Sequence, residues 1–343
     1  MTVLLIAVSC MLVSGYLTAR FRDPSSRLHI LDHPNERSLH VCPTPRTGGV
    51  AIVVAMAAGG LVLVAMQSDA GASAPIAVGA LAIALTSFFD DRWGLAVRWR
   101  LLVQGLVAIA FAVSAFRINV LSLPGIEASV APWLAIAATV VLIVWMTNLY
   151  NFMDGMDGFA GGMAVIGFGA FAILGARADS DLFSGLNIVI AASALGFLPF
   201  NFPPARIFMG DTGSTTLGFL AATMMLWAER DGIFPLWIGL LIFSPFIVDA
   251  TVTLLRRLAR RERIWQAHKT HYYQRLVQVG WGHRKTVLWE YALMAVCGAT
   301  AMLVMYLGPQ VQCAVMIGWA LIYPVLMLGI GKLEDRHRRT HAA

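Results

Sequence analysis

N-L-Y-N-F-M-D-G-M-D-G, Asn148 to Gly158, lies between two apolar runs, Ala131 to Thr147 and Phe159 to Gly175. Runs of that length and polarity read as membrane-crossing helices, so the segment between them reads as a polar turn at a bilayer surface. The same pattern extends in both directions. Upstream lie Val3 to Tyr16, Gly48 to Met66, Ala74 to Phe89 and Leu101 to Phe116; downstream lie Leu186 to Phe200, Thr215 to Trp227, Phe234 to Leu255, Val287 to Leu307 and Val311 to Ile330. With 58% hydrophobic and 13% charged residues and a mean hydropathy of +0.72, the 343-residue chain is no soluble domain. The expected fold is all-α and polytopic, with about eleven transmembrane helices in one membrane domain, residues 1–331, and a basic tail, residues 332–343.

Of the 25 Lys and Arg residues, all but Arg117, Arg177 and Arg230 fall in segments that alternating spans place on one side. Lys and Arg gather in cytoplasmic loops, so that side is expected to face the cytoplasm, with the N-terminus on the opposite side. Topology thus accounts for the net charge of +6 and calls for no nucleic-acid partner. The N-terminus lacks a basic n-region and an A-x-A-like site, so the first run is expected to be a retained helix. Cys10, Cys42, Cys297 and Cys313 show no C-x-x-C or other ligand spacing, which disfavours a zinc site or a structural disulfide. No internal repeat is evident, which counts against a transporter built from inverted halves.

Acidic groups are costly beside lipid, so several converging at one interface define a candidate site. Asp90-Asp91 ends the third run. Two adjacent carboxylates there can share a divalent cation or act as a base; the plain alternative is an interfacial stop paired with Arg92. Asn151, Asp154 and Asp157, spaced three apart, share one side if their segment begins helical, and exceed what a helix cap needs. In N-F-P-P-A-R-I-F-M-G-D-T-G-S, Asn201 to Ser214, Pro203-Pro204 stops one helix and Gly210 begins another. There Asp211 can ligate Mg2+, and Thr212 or Ser214 can cap the new helix, whose N-terminus attracts phosphate. The segment is neither a Walker loop nor an EF-hand. Topology explains most arginines of the basic loop after Leu255, leaving His268 and His271 to bind a diphosphate or a sugar through hydrogen bonds.

Taken in order, D-H-P-N-E-R-S-L-H-V-C-P-T-P-R-T-G-G (Asp32 to Gly49), Asp90-Asp91, N-F-M-D-G-M-D-G, N-F-P-P-A-R-I-F-M-G-D-T-G-S and H-K-T-H resemble the polyprenyl-phosphate N-acetylhexosamine-1-phosphate transferases, glycosyltransferase family 4. The resemblance implies transfer of a sugar 1-phosphate from a UDP-N-acetylhexosamine to undecaprenyl phosphate, with release of UMP, at the cytoplasmic face of a bacterial inner membrane. It implies Mg2+, with Mn2+ as a substitute, held by Asp211, Asn151 and Asp154. Asp90 and Asp91 would place or deprotonate the lipid phosphate, and Asn151, Asp154 and Asp157 would line the nucleotide or metal site. Arg46 would sit near phosphate, Asn201 and Phe208 would flank the nucleoside, and His268 and His271 would complete substrate binding. Direct attack by the lipid phosphate and a covalent phospho-sugar on an aspartate both remain open. The pattern H-K-T-H-Y-Y-Q resembles the O-antigen-initiating branch, with 6-deoxy donors; GlcNAc 1-phosphate and phospho-MurNAc-pentapeptide transfer are the alternatives within the family. A transporter or lipid flippase is the alternative outside it, and the resemblance also allows a homodimer.

Overall fold

A computed structural model describes residues 1–34, 38–67, 71–263 and 268–341. Asn35 to Arg37 of the first motif, Ile264 to Ala267 of the basic loop and residues 342–343 of the tail lie outside the described residues. The chain is helical almost throughout: α1 Thr2–Arg22, α2 Gly48–Ala65, α3 Ser73–Trp93, α4 Val97–Ala112, α5 Pro132–Phe152, α6 Phe159–Arg177, α7 Asp181–Asn201, α8 Gly210–Arg230, α9 Leu236–Ile242, α10 Ser244–Ala259, α11 Tyr272–Leu276, α12 Gly282–Val304 and α13 Pro309–His341. Two antiparallel hairpins interrupt it, β1 Leu31–Asp32 with β2 Thr44–Pro45 and β3 Val120–Leu123 with β4 Ile126–Ser129. The four cysteines are free.

Each of the eleven apolar runs coincides with helix, and the protein is an all-α polytopic membrane protein. Among the described residues, eight helices are long and apolar enough to cross a bilayer, and a ninth span arises if α9 and α10 count as one. Three runs depart from the simple expectation, each for a physical reason. Helix α4 has 16 residues, so it is about 24 Å long, short of a hydrocarbon core of roughly 30 Å.

Helix α8 is long enough but polar. Every residue from Thr212 to Ala228 is buried, because α2, α3, α5 and α6 pack around it. A helix with no lipid contact needs no apolar surface, and its Thr215, Thr216 and Thr223 hydroxyls bond back to carbonyls four residues earlier.

The run Phe234 to Leu255 is broken at Phe243, where α9 and α10 meet at 81°. Pro245, in the first turn of α10, cannot continue the backbone ladder. The Ser244 hydroxyl bonds Leu241 O at 2.7 Å and lies 2.6 Å from Tyr323 Oη of α13, which satisfies polar groups at the break.

Helices α1, α2, α6 and α7 form one packed group, while α3 and α5 lie against α8. An aromatic column runs between these layers, with Phe159 against Phe246 at 4.7 Å, Phe246 against Tyr150 at 5.1 Å and Phe171 against Phe243 at 5.4 Å. Alternation of the helices carries Asp90-Asp91, Asn148 to Gly158, Asn201 to Ser214 and His268 to His271 to one end of the bundle. At the other end, Arg230 lies over the Phe116 ring and Arg177 over Tyr306.

The basic segment after Gly331 continues α13 instead of leaving it. Its Glu334 accepts two bonds from Arg275 of α11, at 2.6 and 2.5 Å, and that guanidinium also covers the Tyr272 ring. Deleting residues 332–343 is therefore expected to loosen α11 and raise the KM for a ligand bound beside it several-fold, with Arg275→Ala giving the same result. Equal KM values for the full and shortened chains would contradict this coupling.

Candidate active site

The site is assembled around the start of α8. Gly210 has φ +72°, and a Cβ there would lie 2.2 Å from Arg46 O, so the turn into α8 needs glycine. One turn on, a Cβ on Gly49 would lie 2.3 Å from Gly213 N, which lets α2 cross α8 at backbone contact. Gly48 N and Gly49 N donate to the carbonyls of Phe208 and Met209, fixing the P-R-T-G-G segment against the loop before α8.

Neither Thr212 nor Ser214 caps α8, contrary to the sequence expectation. The cap is Asp91 of α3, whose carboxylate accepts bonds from Asp211 N at 3.1 Å, Thr212 N at 2.9 Å and Thr212 Oγ1 at 2.6 Å. Ser214 Oγ instead donates to Gly210 O and accepts from Asn151 Nδ2. The backbone N–H groups expected to attract phosphate are thus taken by a carboxylate, a favourable partner for a helix N-terminus.

Asp90, beside Asp91, faces another way. It accepts from Leu95 N and pairs with Arg100 Nη1 at 2.5 Å, and the same nitrogen reaches Asp211 Oδ2 at 2.7 Å. Asn151 Nδ2 donates to Asp211 Oδ1 at 2.9 Å, so both oxygens of Asp211 are engaged.

Asp154, in the turn between α5 and α6, accepts no hydrogen bond from a described residue. Burial, followed by the charges of Asp211, Asp91 and Asp157, pushes its pKa well above the usual carboxylate range.

Other candidates hold loops together. Asp157 Oδ2 accepts from Ala205 N at 2.9 Å, and its Oδ1 lies 3.0 Å from His283 Nδ1. Asn201 is buried, accepting from Gly158 N and donating to Ile207 O. Tyr291 Oη donates to Gly158 O at 2.6 Å, which secures the turn from the α12 side.

Arg46 Nη2 donates to Asp91 O at 2.5 Å, and its Nη1 lies 4.0 Å from Asp32. The Phe208 ring lies 4.8 Å from that of His40. His271 Nδ1 lies 3.2 Å from Asp249 Oδ1, and its ring stacks on His268 at 4.8 Å. Asp249 also accepts from Tyr272 N and Tyr273 N, so a carboxylate from α10 caps α11 as Asp91 caps α8.

Arg46, Asp91, Asn151, Asp154, Asp157, Asn201, Phe208, Asp211, His268 and His271 all line one cavity of about 880 Å³; Asp90 stands behind it and connects through Arg100. The opposite wall is apolar: Val97 and Leu101 of α4, Val140, Val141, Val144 and Trp145 of α5, Ala250 and Leu254 of α10. Val97, Leu101 and Val141 are 55%, 46% and 64% exposed, so the polar chamber opens sideways onto the lipid-facing surface.

Sequence reasoning missed Arg100, Asp249, His283 and His40. Arg100 was absorbed into the positive charge that topology already explained. Asp249 did carry a signal, as the lone acid inside the run Phe234 to Leu255.

A bundle of membrane helices carrying an acidic chamber at one end, open to lipid, defines an integral membrane protein with an interfacial site. Residues 73–229 match the glycosyl transferase family 4 profile. The chain is 34% identical over 270 residues, covering 78% of itself and 75% of the relative, to a Bacillus subtilis protein named "Probable undecaprenyl-phosphate N-acetylglucosaminyl 1-phosphate transferase". It is 30% identical over 347 residues, 92% of itself and 86% of the relative, to the decaprenyl-phosphate N-acetylglucosaminephosphotransferase of Mycobacterium leprae. Identity is 27% over 276 residues, 74% of the chain and 83% of the relative, to the phospho-N-acetylmuramoyl-pentapeptide-transferase of Staphylococcus haemolyticus. The chain belongs to glycosyl transferase family 4.

Proposed function

We propose that the protein transfers an N-acetylhexosamine 1-phosphate from a UDP-sugar to undecaprenyl phosphate, releasing UMP, as the initiating step of O-antigen or related envelope polysaccharide synthesis. The observation that carries this reading is the joining of two surfaces in one cavity. Asp154, which bonds to no described residue, and the Asp211–Arg100 pair face an apolar wall open to lipid. A polyprenyl chain would lie along α4, α5 and α10, with its phosphate at the acidic chamber. Asp90, Asp91, Asp154, Asp157 and Asp211 sit at helix ends or in the adjoining loops on one side of the bundle, which suits transfer at an interface better than passage across it. The bias of Lys and Arg toward that side supports a cytoplasmic active site in the inner membrane.

The residues fit a divalent cation. Asp154 has no hydrogen-bond partner among the described residues, and Asp211 and Asn151 line the same cavity with further oxygens. Among the described residues no three His, Cys, Asp or Glu side chains converge as a closed metal site. A partial set suits Mg2+, which keeps waters and takes phosphate oxygens as ligands. When bound, Mg2+ or Mn2+ would neutralise the diphosphate and stabilise the charge on the departing UMP.

The chain's own residues do the rest. Arg46 and Arg100 set positive charge against the phosphates, and Phe208 with His40 offers a ring wall for the nucleoside. Asp157 and Asn201 hold the two loops in register. Asp249 orients His271, whose stacked partner His268 faces the sugar. The attacking group, a phosphate oxygen of the lipid, is already anionic, so placement matters more than a strong base.

The finer reading, a 6-deoxy donor such as N-acetylfucosamine or N-acetylquinovosamine, rests on the segment H-K-T-H-Y-Y-Q. Purified protein with undecaprenyl phosphate and a panel of radiolabelled UDP-sugars tests it. Product from a 6-deoxy donor is expected. Product from UDP-GlcNAc alone would remove the O-antigen assignment and keep the reaction.

A pH dependence follows from Asp154. Its raised pKa means that it takes up a proton at higher pH than an ordinary carboxylate, while a cation needs the ionised form. As pH falls, the Mg2+ concentration for half-maximal rate is expected to rise, beginning above the normal carboxylate range. Asp154→Asn should flatten that dependence, and an unchanged profile would contradict the placement of the cation at this group.

A further inference from the structure

We propose that Arg100 is a positioning residue that competes with the divalent cation for Asp211, yielding the carboxylate to the ion as its own guanidinium turns to the phosphates. The proposal rests on the reading of Asp211 as a cation ligand. One nitrogen, Nη1, lies 2.5 Å from Asp90 Oδ2 and 2.7 Å from Asp211 Oδ2, so the arginine bridges carboxylates from α3 and α8. Asn151 takes the other oxygen of Asp211 at 2.9 Å. A cation binding Asp211 therefore shares an oxygen that already accepts a hydrogen bond, and the bond to Arg100 is the one in which the two partners of that oxygen carry like charge and repel.

Arg100 has somewhere to go. Its remaining guanidinium N–H groups bond to no described residue, and its side chain, 29% exposed, lines the cavity. A planar fork with free donors facing a chamber suits a phosphate oxygen. Asp90, outside the cavity lining, anchors the arginine whichever partner it holds, which gives Asp90 a task distinct from that of its neighbour Asp91. The exchange would keep Asp211 neutralised until both cation and diphosphate are present, and would couple the binding of the two.

Removing any nearby positive charge helps a cation bind, so the test needs a charge-matched control. Arg98 lies two residues away on α4, is exposed, and does not line the cavity. Mn2+ binding to the detergent-purified full chain, read from the loss of the free-ion paramagnetic resonance signal, is compared for wild type, Arg100→Gln and Arg98→Gln, with size-exclusion profiles checking the fold. Arg100→Gln is expected to bind Mn2+ about tenfold tighter than wild type, with Arg98→Gln within about twofold, as expected for direct exclusion between two ligands of one group.

Arg100→Lys keeps the charge but reaches less far. It is expected to fall between wild type and Arg100→Gln, and serves if the glutamine variant does not fold. Wild-type or weaker affinity in the Arg100 variants, or a gain no larger than that of Arg98→Gln, overturns the proposal alone. Folded wild type and variants that all fail to bind Mn2+ overturn the cation reading of Asp211, and this proposal with it.

Discussion

Asp211→Asn is expected to fold and to lose about three orders of magnitude in turnover, the scale of removing a principal electrostatic contact from a phosphoryl-transfer site. The side chain sits in the first turn of α8, facing the cavity, where it accepts from Arg100 and Asn151 and lies against Asp90. Nothing in the core depends on it, because the cap of α8 comes from Asp91 and its packing from residues 212–228. The amide can still accept from Asn151, but its NH2 opposes Arg100, donor against donor. Both the cation and the arginine lose their shared anchor. Circular dichroism and the kinetic constants read the result. A fall in kcat larger than any rise in KM is expected, since the lost interactions act on charge that develops during transfer. Near-normal turnover in folded Asp211→Asn protein would remove Asp211 from the chemistry.

Asp91→Ala is expected to act first on stability. It would leave Asp211 N, Thr212 N and the Thr212 hydroxyl without their acceptor at a buried helix start, at a cost of about 2–4 kcal/mol. Asp90→Ala, by contrast, releases Arg100 and Leu95 N but leaves the cap of α8 intact, so it should change activity with a smaller effect on melting than Asp91→Ala. Scanning fluorimetry in detergent separates the two. Equal melting temperatures for Asp91→Ala and wild type would contradict the capping role. Adjacent carboxylates in the sequence thus have unlike tasks, because successive side chains on a helix point about 100° apart.

That division shows where sequence reading stops. Hydropathy reveals apolar helices, so α2 and α6 were legible almost to their ends, while α1 and α5 continue past Tyr16 and Thr147 to Arg22 and Phe152 with polar residues that end the apolar run but not the helix. Hydropathy undervalues α8, which is buried in protein, and averages over the break at Phe243, although Pro245 marks it in the sequence and Tyr323 of α13 only completes its hydrogen bonding. The polar loops were legible because carboxylates and amides are rare between apolar spans, and ten of the eleven candidate side chains line one cavity.

Pairings across long separations were not legible. Asp91 caps a helix 120 residues on, and Asp249 caps α11 from another element. Arg100 meets Asp211 only because α4 folds back beside α3. Local motifs name the acidic groups, whereas their partners come from packing that no local window contains.

The most direct test of the proposed transfer follows the phosphate itself. Purified protein in detergent or lipid discs receives undecaprenyl phosphate, Mg2+ and a UDP-N-acetylhexosamine labelled with 32P at the β-phosphate. Transfer of a sugar 1-phosphate puts the label in the lipid fraction, with one unlabelled UMP formed for each lipid product. Label remaining in the nucleotide fraction as UDP, while sugar appears on the lipid, would mean that the sugar–phosphate bond is the one broken, and would contradict the account.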